Sequence, residues 1–183
     1  PDEDERTSEA VYVDLKAFSN AKRGDIVLVQ NGLVKEWNPA GLGENSLTVT
    51  TLVAKDVTVL SQNQPLPEPV VIGKGGRLIP NTVIENDVKG YVGQSKEPLD
   101  PQEDGMDFFE SLECMLVQIN DAKAVSTRNG YNEVSVVADG GEDAGIFSEE
   151  GVLVLRENDP NPERIMIDDS FVMMPEIHVG AVF

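Results

Sequence analysis

The sequence predicts a mainly β protein, built from small β-barrels or sandwiches with one short helix. Short segments rich in Val, Ile, Leu and Thr recur along the chain, and many alternate as strands do. The 16 Gly and 11 Pro interrupt these segments often, which leaves little room for long helices. Only one stretch has a clear helical period, so we expect a low helix content.

The first predicted domain covers residues 1–93 and contains the first group of strands. Its strand segments are Ala10–Leu15, Asp25–Trp37 and Ser46–Ser61. The second segment bends at Asn31 and Gly32, and the third is one long broken strand or two short ones. Three prolines in the segment Gln62–Gly73 forbid a central strand and favour an extended path.

A polar segment with two prolines, residues 94–105, is the predicted linker to a second domain at residues 106–183. That domain opens with the helical stretch Met106–Met115, which has an apolar face. We expect Asp104 or Asp107 to act as its N-cap or first-turn anion. Five strand segments follow, namely Met115–Asn120, Lys123–Arg128, Asn132–Asp139, Gly151–Arg156 and Glu163–Asp168.

The net charge of −19 is distributed unevenly, with −4 on residues 1–98 and −15 on residues 99–183. DNA binding depends on cationic neutralisation of phosphates, so the second half is a poor DNA-binding surface. Acidic surfaces keep proteins soluble and attract cations, which fits a saline or calcium-rich medium. No apolar run approaches the roughly 18 residues of a membrane span, so we predict no membrane partner.

Residues suited to catalysis are few. His178 is the only histidine and Cys114 the only cysteine, so a Ser-His-Asp or Cys-His unit would have to use His178. A single cysteine excludes an internal disulfide and a cysteine-based zinc site. We interpret His178 as a surface or edge-strand residue and Cys114 as a buried structural thiol. No catalytic residue is therefore predicted.

Two groups of oxygen-bearing side chains are candidate calcium ligands, because Ca²⁺ takes six to eight oxygens and often finds them in loops. The two groups are Asp139, Glu142 and Asp143, and separately Asp159, Asn161, Asp168 and Asp169. The spacing of an EF-hand is absent. Calcium ligation and solvated acidic loops both remain open as interpretations of these residues.

Cations and aromatic rings of the first half are candidates for a weak platform that binds single-stranded nucleic acid, since such sites combine basic and stacking side chains. The candidate residues are Tyr12, Lys35, Trp37, Lys74 and Arg77. Lys74 and Arg77 belong to the glycine-rich stretch Gly73–Arg77, which lacks the Walker spacing and a following helix. We interpret that stretch as a turn.

Several stretches together carry a family resemblance. They are TSEAVYVDL, GDIVLVQNGLVKEW, LTVTTL and PLPEPVVI, followed by GMDFFESLECMLVQI, NGYNEVSVVADGG and DPNPERIMIDD. In order and spacing they resemble the non-catalytic, OB-fold-containing region of secreted bacterial extracellular nucleases of the endonuclease/exonuclease/phosphatase type. Two positions depart from the pattern: Cys114 stands where the family has glycine, and Pro160 where it has an aromatic residue.

The resemblance implies a fold and a parent protein. Residues 1–93 would be an OB-fold-like barrel, truncated at its N-terminus, and residues 106–183 a second small β-barrel or sandwich, truncated at its C-terminus. The parent would be a secreted bacterial enzyme that hydrolyses DNA or RNA with Mg²⁺ or Ca²⁺. Its catalytic domain would lie downstream, since such sites use two histidines and this chain has one.

Two functions remain open on this basis. The first is a non-catalytic region that positions nucleic acid or the downstream catalytic domain. The second is a calcium-stabilised extracellular structural or binding module without a nucleic-acid role. In either case Glu110, Glu113 and Arg164 are expected to be structural, with Arg164 neutralising nearby carboxylates because the acidic half contains few cations.

Overall fold

The computed structural model describes residues 4–38 and 46–183. Strands account for 26% of the chain and helices for 7%, which confirms the predicted mainly β class with one short helix. The strands of the first half are β1 (Tyr12–Leu15), β2 (Ile26–Val29), β3 (Leu33–Trp37), β4 (Val49–Ala54) and β5 (Val57–Ser61). The long segment at residues 46–61 is thus two short strands, and the Asn31-Gly32 bend separates β2 from β3.

These five strands form two separate open sheets. In one sheet the order is β1-β4-β3, with β1 parallel and β3 antiparallel to the central β4. The other sheet is the antiparallel pair β2-β5. All residues of β3 are exposed, so this half has little core of its own. Within the described residues, the strands close no barrel.

A short parallel pair joins the two halves of the chain. Strand β6 (Val70–Ile72) pairs with β7 (Val117–Ile119), and Val70 is opposite Val117. Parallel neighbours need a long crossover between them, and here the crossover includes the predicted linker at residues 94–105. Residues 94–105 therefore lie in the crossover between β6 and β7, and β6 is paired with a strand of the second half.

Helix α1 (Gly105–Glu110) is shorter than the predicted stretch at residues 106–115. After it the chain continues in tight turns, in which the amides of Leu112, Glu113 and Met115 each bond to the carbonyl three residues earlier. The segment then reverses at Cys114, whose φ is +60°. A left-handed residue at this position is a common way to end a helical segment.

The remaining strands form an antiparallel sheet of order β10-β9-β8. They are β8 (Lys123–Ala124), β9 (Val134–Val137) and β10 (Ile165–Ile167). The strand predicted at Gly151–Arg156 is wrong: this segment makes only isolated bridges, Phe147 with Leu153 and Arg156 with Asp159. Within this apolar segment, Leu153 is buried beside Val125 and Val137.

The core lies mostly in the second half, with Ile72 of β6 included, and it packs α1 beside β10. One buried cluster contains Val134 and Val136 of β9, and another contains Phe108 of α1. Ile119 and Ile165 pack against both clusters, so the helix, β7 and β10 share one apolar interior. No helix in the described parts of the chain has the length and hydropathy needed to cross a membrane.

Candidate functional site

The N-terminus of α1 is capped by a fully buried acid. Asp104 has extended backbone angles, and its side chain accepts a hydrogen bond from the amide of Asp107 at 3.1 Å. Its relative exposure is 0%. Capping fits the local sequence, since a carboxylate here satisfies a free helical amide and interacts well with the helix dipole. The prediction of a cap at Asp104 or Asp107 agrees with this geometry.

Two other parts of the chain, residues 83–84 and Asp100, form hydrogen bonds with the start of α1 through their backbones. The amides of Gly105 and Met106 donate to the carbonyls of Val83 and Ile84, both at 2.9 Å. These bonds bring Glu85 beside the helix. The second carboxylate of the helix, that of Asp107, accepts from the amide of Asp100 at 2.8 Å.

As a result, four acidic side chains, Glu85, Asp100, Asp104 and Asp107, surround the start of α1; we call them the α1 cluster. Glu85, Asp104 and Asp107 each offer a carboxylate oxygen, and these oxygens all lie within 4.8 Å of one another. Asp104 Oδ2 and Asp100 Oδ1 are buried and have no hydrogen-bond partner within the described residues. Unpartnered buried oxygens are unusual in folded proteins.

The electrostatics of the α1 cluster disfavour ionisation of its two helix acids, Asp104 and Asp107. Burial, together with repulsion from Asp107, Glu85 and Asp100, raises the pKa of Asp104 to about 7, although the Asp107 amide opposes this rise. Burial is also the main cause of the raised pKa of Asp107. Across the described ranges, no Lys or Arg forms a salt bridge with any of the four.

The α1 cluster has the donor chemistry of a divalent-cation site. All its donor atoms are carboxylate oxygens, which suit hard cations such as Ca²⁺ or Mg²⁺. An ion held by several carboxylates would neutralise their mutual repulsion and supply the partner that the buried oxygens lack. Backbone carbonyls and water would complete the coordination, as they do in many calcium sites.

In the first predicted calcium group, two of the three acidic residues form bonds with Lys74. Asp139 Oδ2 accepts from the backbone amide of Lys74 at 2.8 Å, and the Lys74 ammonium forms a salt bridge with Glu142. The backbone carbonyl of Asp143, rather than its carboxylate, bonds to the side chain of Asn81. Calcium ligation by this group stays a prediction, with Lys74 as the partner that the sequence did not suggest.

The second predicted group is divided by the structure. Asp159 and Asn161 are buried, together with Glu163, which was not among the predicted ligands. Asp168 is exposed and accepts from the amide of Ser170 at 2.8 Å, and Asp169 follows it beyond β10. The structure therefore brings Asp159 and Asn161 to Glu163, and it places the Asp168-Asp169 pair after the strand.

Three of the five predicted platform residues lie together. The rings of Tyr12 and Trp37 stack with centroids 6.4 Å apart, and Lys35 lines the same groove. The other two residues have different partners: Lys74 binds Glu142, and Arg77 lies over the Phe108 ring at 5.1 Å. The guanidinium of Arg77 also donates to the hydroxyl of buried Ser111 at 2.9 Å.

Cys114 and His178 are both exposed, so the prediction of a buried thiol at Cys114 is wrong. The turn after α1 directs Cys114 outward while its neighbour Leu112 enters the core. Glu113 accepts from the amide of Thr50 and so contacts β4, while Glu110 is half-buried. Arg164 is exposed, and among the described residues it forms no salt bridge.

The candidate ligands that the sequence analysis did not include are those of the α1 cluster. Asp100, Asp104 and Asp107 occur within eight residues at the start of the helical stretch, and this dense spacing was an available signal. Glu85 lies much earlier in the chain and has no such signal. It joins the cluster only because Val83 and Ile84 bond to the helix end.

Comparison with known proteins identifies a family for the second part of the chain. Residues 71–183 match the model of a family described as "Domain of unknown function (DUF8508)". The matched region begins within β6 and contains the α1 cluster. No curated protein and no solved structure shows significant similarity to the chain.

Proposed function

Since the chain belongs to the DUF8508 family of domains of unknown function, we propose its role from its own side chains: it is a non-catalytic β module stabilised by calcium. The observation that carries this proposal is the fully buried carboxylate of Asp104, which has an unpartnered oxygen. Ligand oxygens of Glu85 and Asp107 lie within 4.8 Å of its own.

The charge balance of the α1 cluster supports a cation. A buried carboxylate is costly unless it is paired, hydrogen-bonded or bound to a metal. Backbone amides satisfy one oxygen each of Asp104 and Asp107, but Asp104 Oδ2 is buried without a partner among the described residues. A cation that binds only the folded chain would stabilise it by mass action.

The donor set supports calcium over other common ions. It contains oxygens only, whereas zinc sites usually include His or Cys. The ligands come from a helix end and two irregular segments, and Ca²⁺ accepts irregular, high-coordination geometry more readily than Mg²⁺ does. The same reasoning gives the site a structural role, because the cation would tie Glu85 and Asp100 to the start of α1.

Thermal unfolding of the full chain tests this proposal. After removal of metal with EGTA, calcium at about 100 times its Kd should raise the Tm by roughly 5–10 °C, and magnesium should raise it less. Asp104→Asn should abolish this response at the α1 cluster, because Asn still caps the helix but has no charge. Glu103→Gln, an adjacent exposed position, is the control and should respond as the wild type does.

A wild-type chain whose Tm does not respond to calcium would overturn the proposal. An undiminished response in both Asp104→Asn and Glu103→Gln would place calcium elsewhere and would also contradict it.

A second proposed function concerns the first half of the chain, and it is favoured by the Tyr12–Trp37 stack. Aromatic platforms with nearby cations bind single-stranded nucleic acid without strong sequence preference. Lys16 and Lys35 lie in the groove, but Asp14 and Glu36 line it too. We propose weak, salt-dependent binding, in line with a region of a secreted nuclease that positions substrate or a downstream catalytic domain.

Fluorescence anisotropy with a labelled oligothymidylate tests the second function. We expect binding at about 50 mM salt that weakens at about 200 mM. Trp37→Ala should reduce the affinity, whereas Tyr131→Ala, at a distant exposed ring, should not. No binding at the lower salt concentration would exclude the platform.

A further inference from the structure

A second set of buried oxygens lies in the loop that precedes β10. The loop sequence Asp159-Pro160-Asn161-Pro162-Glu163 alternates oxygen-bearing side chains with prolines. The three polar side chains are only 7%, 6% and 6% exposed. Their burial is unusual for such residue types, and none of them belongs to the α1 cluster.

Each of these side chains has an oxygen without a partner. Asp159 Oδ1, Asn161 Oδ1 and Glu163 Oε2 are buried and make no hydrogen bond within the described residues. All three atoms are acceptors when the acids are ionised. A buried acceptor without a donor is destabilising, and three such acceptors lie within five residues of one loop, so we look for a common partner.

The three side chains converge on Gly145. A Cβ atom built on Gly145 would lie 2.7 Å from Asp159 Oδ2 and 3.1 Å from Asn161 Oδ1. The Gly145 amide donates to Glu163 Oε1 at 3.1 Å. A glycine here leaves room for the side chains of Asp159 and Asn161, and a Cβ atom at this position would collide with Asp159 Oδ2.

One arginine provides partial neutralisation. Arg156 donates to Asp159 Oδ2 at 2.8 Å and leaves the other oxygen of that carboxylate free. Burial raises the pKa of Glu163, and the negative charge of Asp159 adds to this. Glu163 also borders an open cleft of about 300 Å³ with Asp143 and Ala144.

We propose that Asp159, Asn161 and Glu163 bind a second calcium ion. The ligands are two carboxylates and one amide oxygen from alternate residues of a single loop, an arrangement that suits a hard cation. The two prolines fix φ at residues 160 and 162, while Asn161 between them is left-handed, and this restricted loop reduces the ordering that binding requires. Pro162 also packs against Gly105, the residue after Asp104, so the two proposed sites are neighbours.

Isothermal titration of the EGTA-treated full chain with CaCl₂ tests this inference. We expect two equivalents for the wild type and one for Glu163→Gln, a variant that keeps the shape and the bond from Gly145. The double variant with Asp104→Asn should bind none. Asn161→Asp should bind the loop ion at least tenfold more tightly, because it adds a ligand charge at a left-handed position that Asp tolerates.

The outcomes separate this site from the α1 cluster. One wild-type equivalent that is lost in Asp104→Asn but retained in Glu163→Gln would overturn the loop site alone. One equivalent lost in Glu163→Gln but retained in Asp104→Asn would overturn the proposed function alone. If Glu163→Gln fails to fold, as judged by circular dichroism, unchanged calcium affinity in Asn161→Asp would overturn the loop site.

Discussion

Gly105 and Pro162 lie so close that a Cβ atom on Gly105 would fall 2.6 Å from the Cβ of Pro162. This contact joins the start of α1 to the loop that leads into β10. A buried acid is adjacent to each of the two contacting residues: Asp104 precedes Gly105, and Glu163 follows Pro162. The absence of a side chain at residue 105 is therefore a condition for bringing the two acidic clusters together.

We expect Gly105→Ala to destabilise the protein by about 1–2 kcal/mol. Overpacking typically costs 1–3 kcal/mol, and the better helix propensity of Ala returns less than about 1 kcal/mol. Urea unfolding monitored by circular dichroism measures the difference. Gly130→Ala is the matched control, since a Cβ there meets nothing within 4 Å, and it should stay within about 0.5 kcal/mol of wild type. Equal losses in both variants would refute the steric argument.

Cys114→Gly should stabilise the protein by about 1 kcal/mol. Cys114 has a φ of +60°, and a Cβ at a left-handed position costs roughly 1–2 kcal/mol relative to glycine, less the extra chain entropy of Gly. Chemical denaturation gives the change in free energy of unfolding. Cys114→Ser keeps the Cβ and should show little change, so a stabilised serine variant would argue against backbone strain.

Glu110 should make the stability depend on pH. Burial, then the charges of Glu113, Glu36 and Asp107, raises the pKa of Glu110 from 4.5 to about 7. The folded chain therefore holds this proton where the unfolded chain has lost it, so stability falls as the pH rises from about 4.5 to about 7. Above that range the contribution is constant.

Glu110→Gln removes this titration, so its stability advantage over wild type should grow between pH 5 and pH 7 and then level off. Melting curves across this range, recorded in EGTA, measure the difference. Glu149→Gln, at an exposed position, controls for the loss of one negative charge. If the stability difference between Glu110→Gln and the wild type did not change with pH, the raised pKa of Glu110 would be contradicted.

Arg77→Ala should destabilise the fold by about 2–3 kcal/mol. Arg77 donates to the hydroxyl of buried Ser111 and lies over the ring of Phe108, and interactions of these two kinds are worth about 1.5–3 and 0.5–2 kcal/mol. Arg77→Lys should be intermediate, because it keeps the charge but not the planar group. Lys35→Ala is the exposed control, and an equal loss there would point to charge rather than contact. Unfolding by urea measures all three.

The local sequence pattern predicted many elements correctly because, in these elements, the sequence pattern matches the pattern of burial in the fold. Strand β10 has the predicted alternation, with Ile165 and Ile167 half-buried and Met166 exposed. The segment Gly151–Arg156 has a strand-like apolar run, but it lacks a continuous strand partner among the described residues and forms only bridges. Pairing depends on what lies alongside, and a strand segment does not encode its neighbour.

The helix end and the buried acids show the same limit. The apolar period continues through Leu112 and Met115, so it predicts a longer helix, whereas the left-handed turn at Cys114 ends it. Asp104 was expected as a cap, which is a local relationship. Its burial beside Glu85 depends on hydrogen bonds to a segment some twenty residues earlier, which local reasoning cannot supply.

By itself, the sequence determined the β class, the short helix, its cap and the acidic character of the second half, because composition and short-range periodicity govern these properties. Only the tertiary structure decided which acids are buried together. It paired β6 with β7, tied Glu85 to the start of α1 and set Glu163, rather than Asp168 and Asp169, beside Asp159 and Asn161. Cation sites need oxygens that converge in space, and convergence follows from packing between segments distant in the chain.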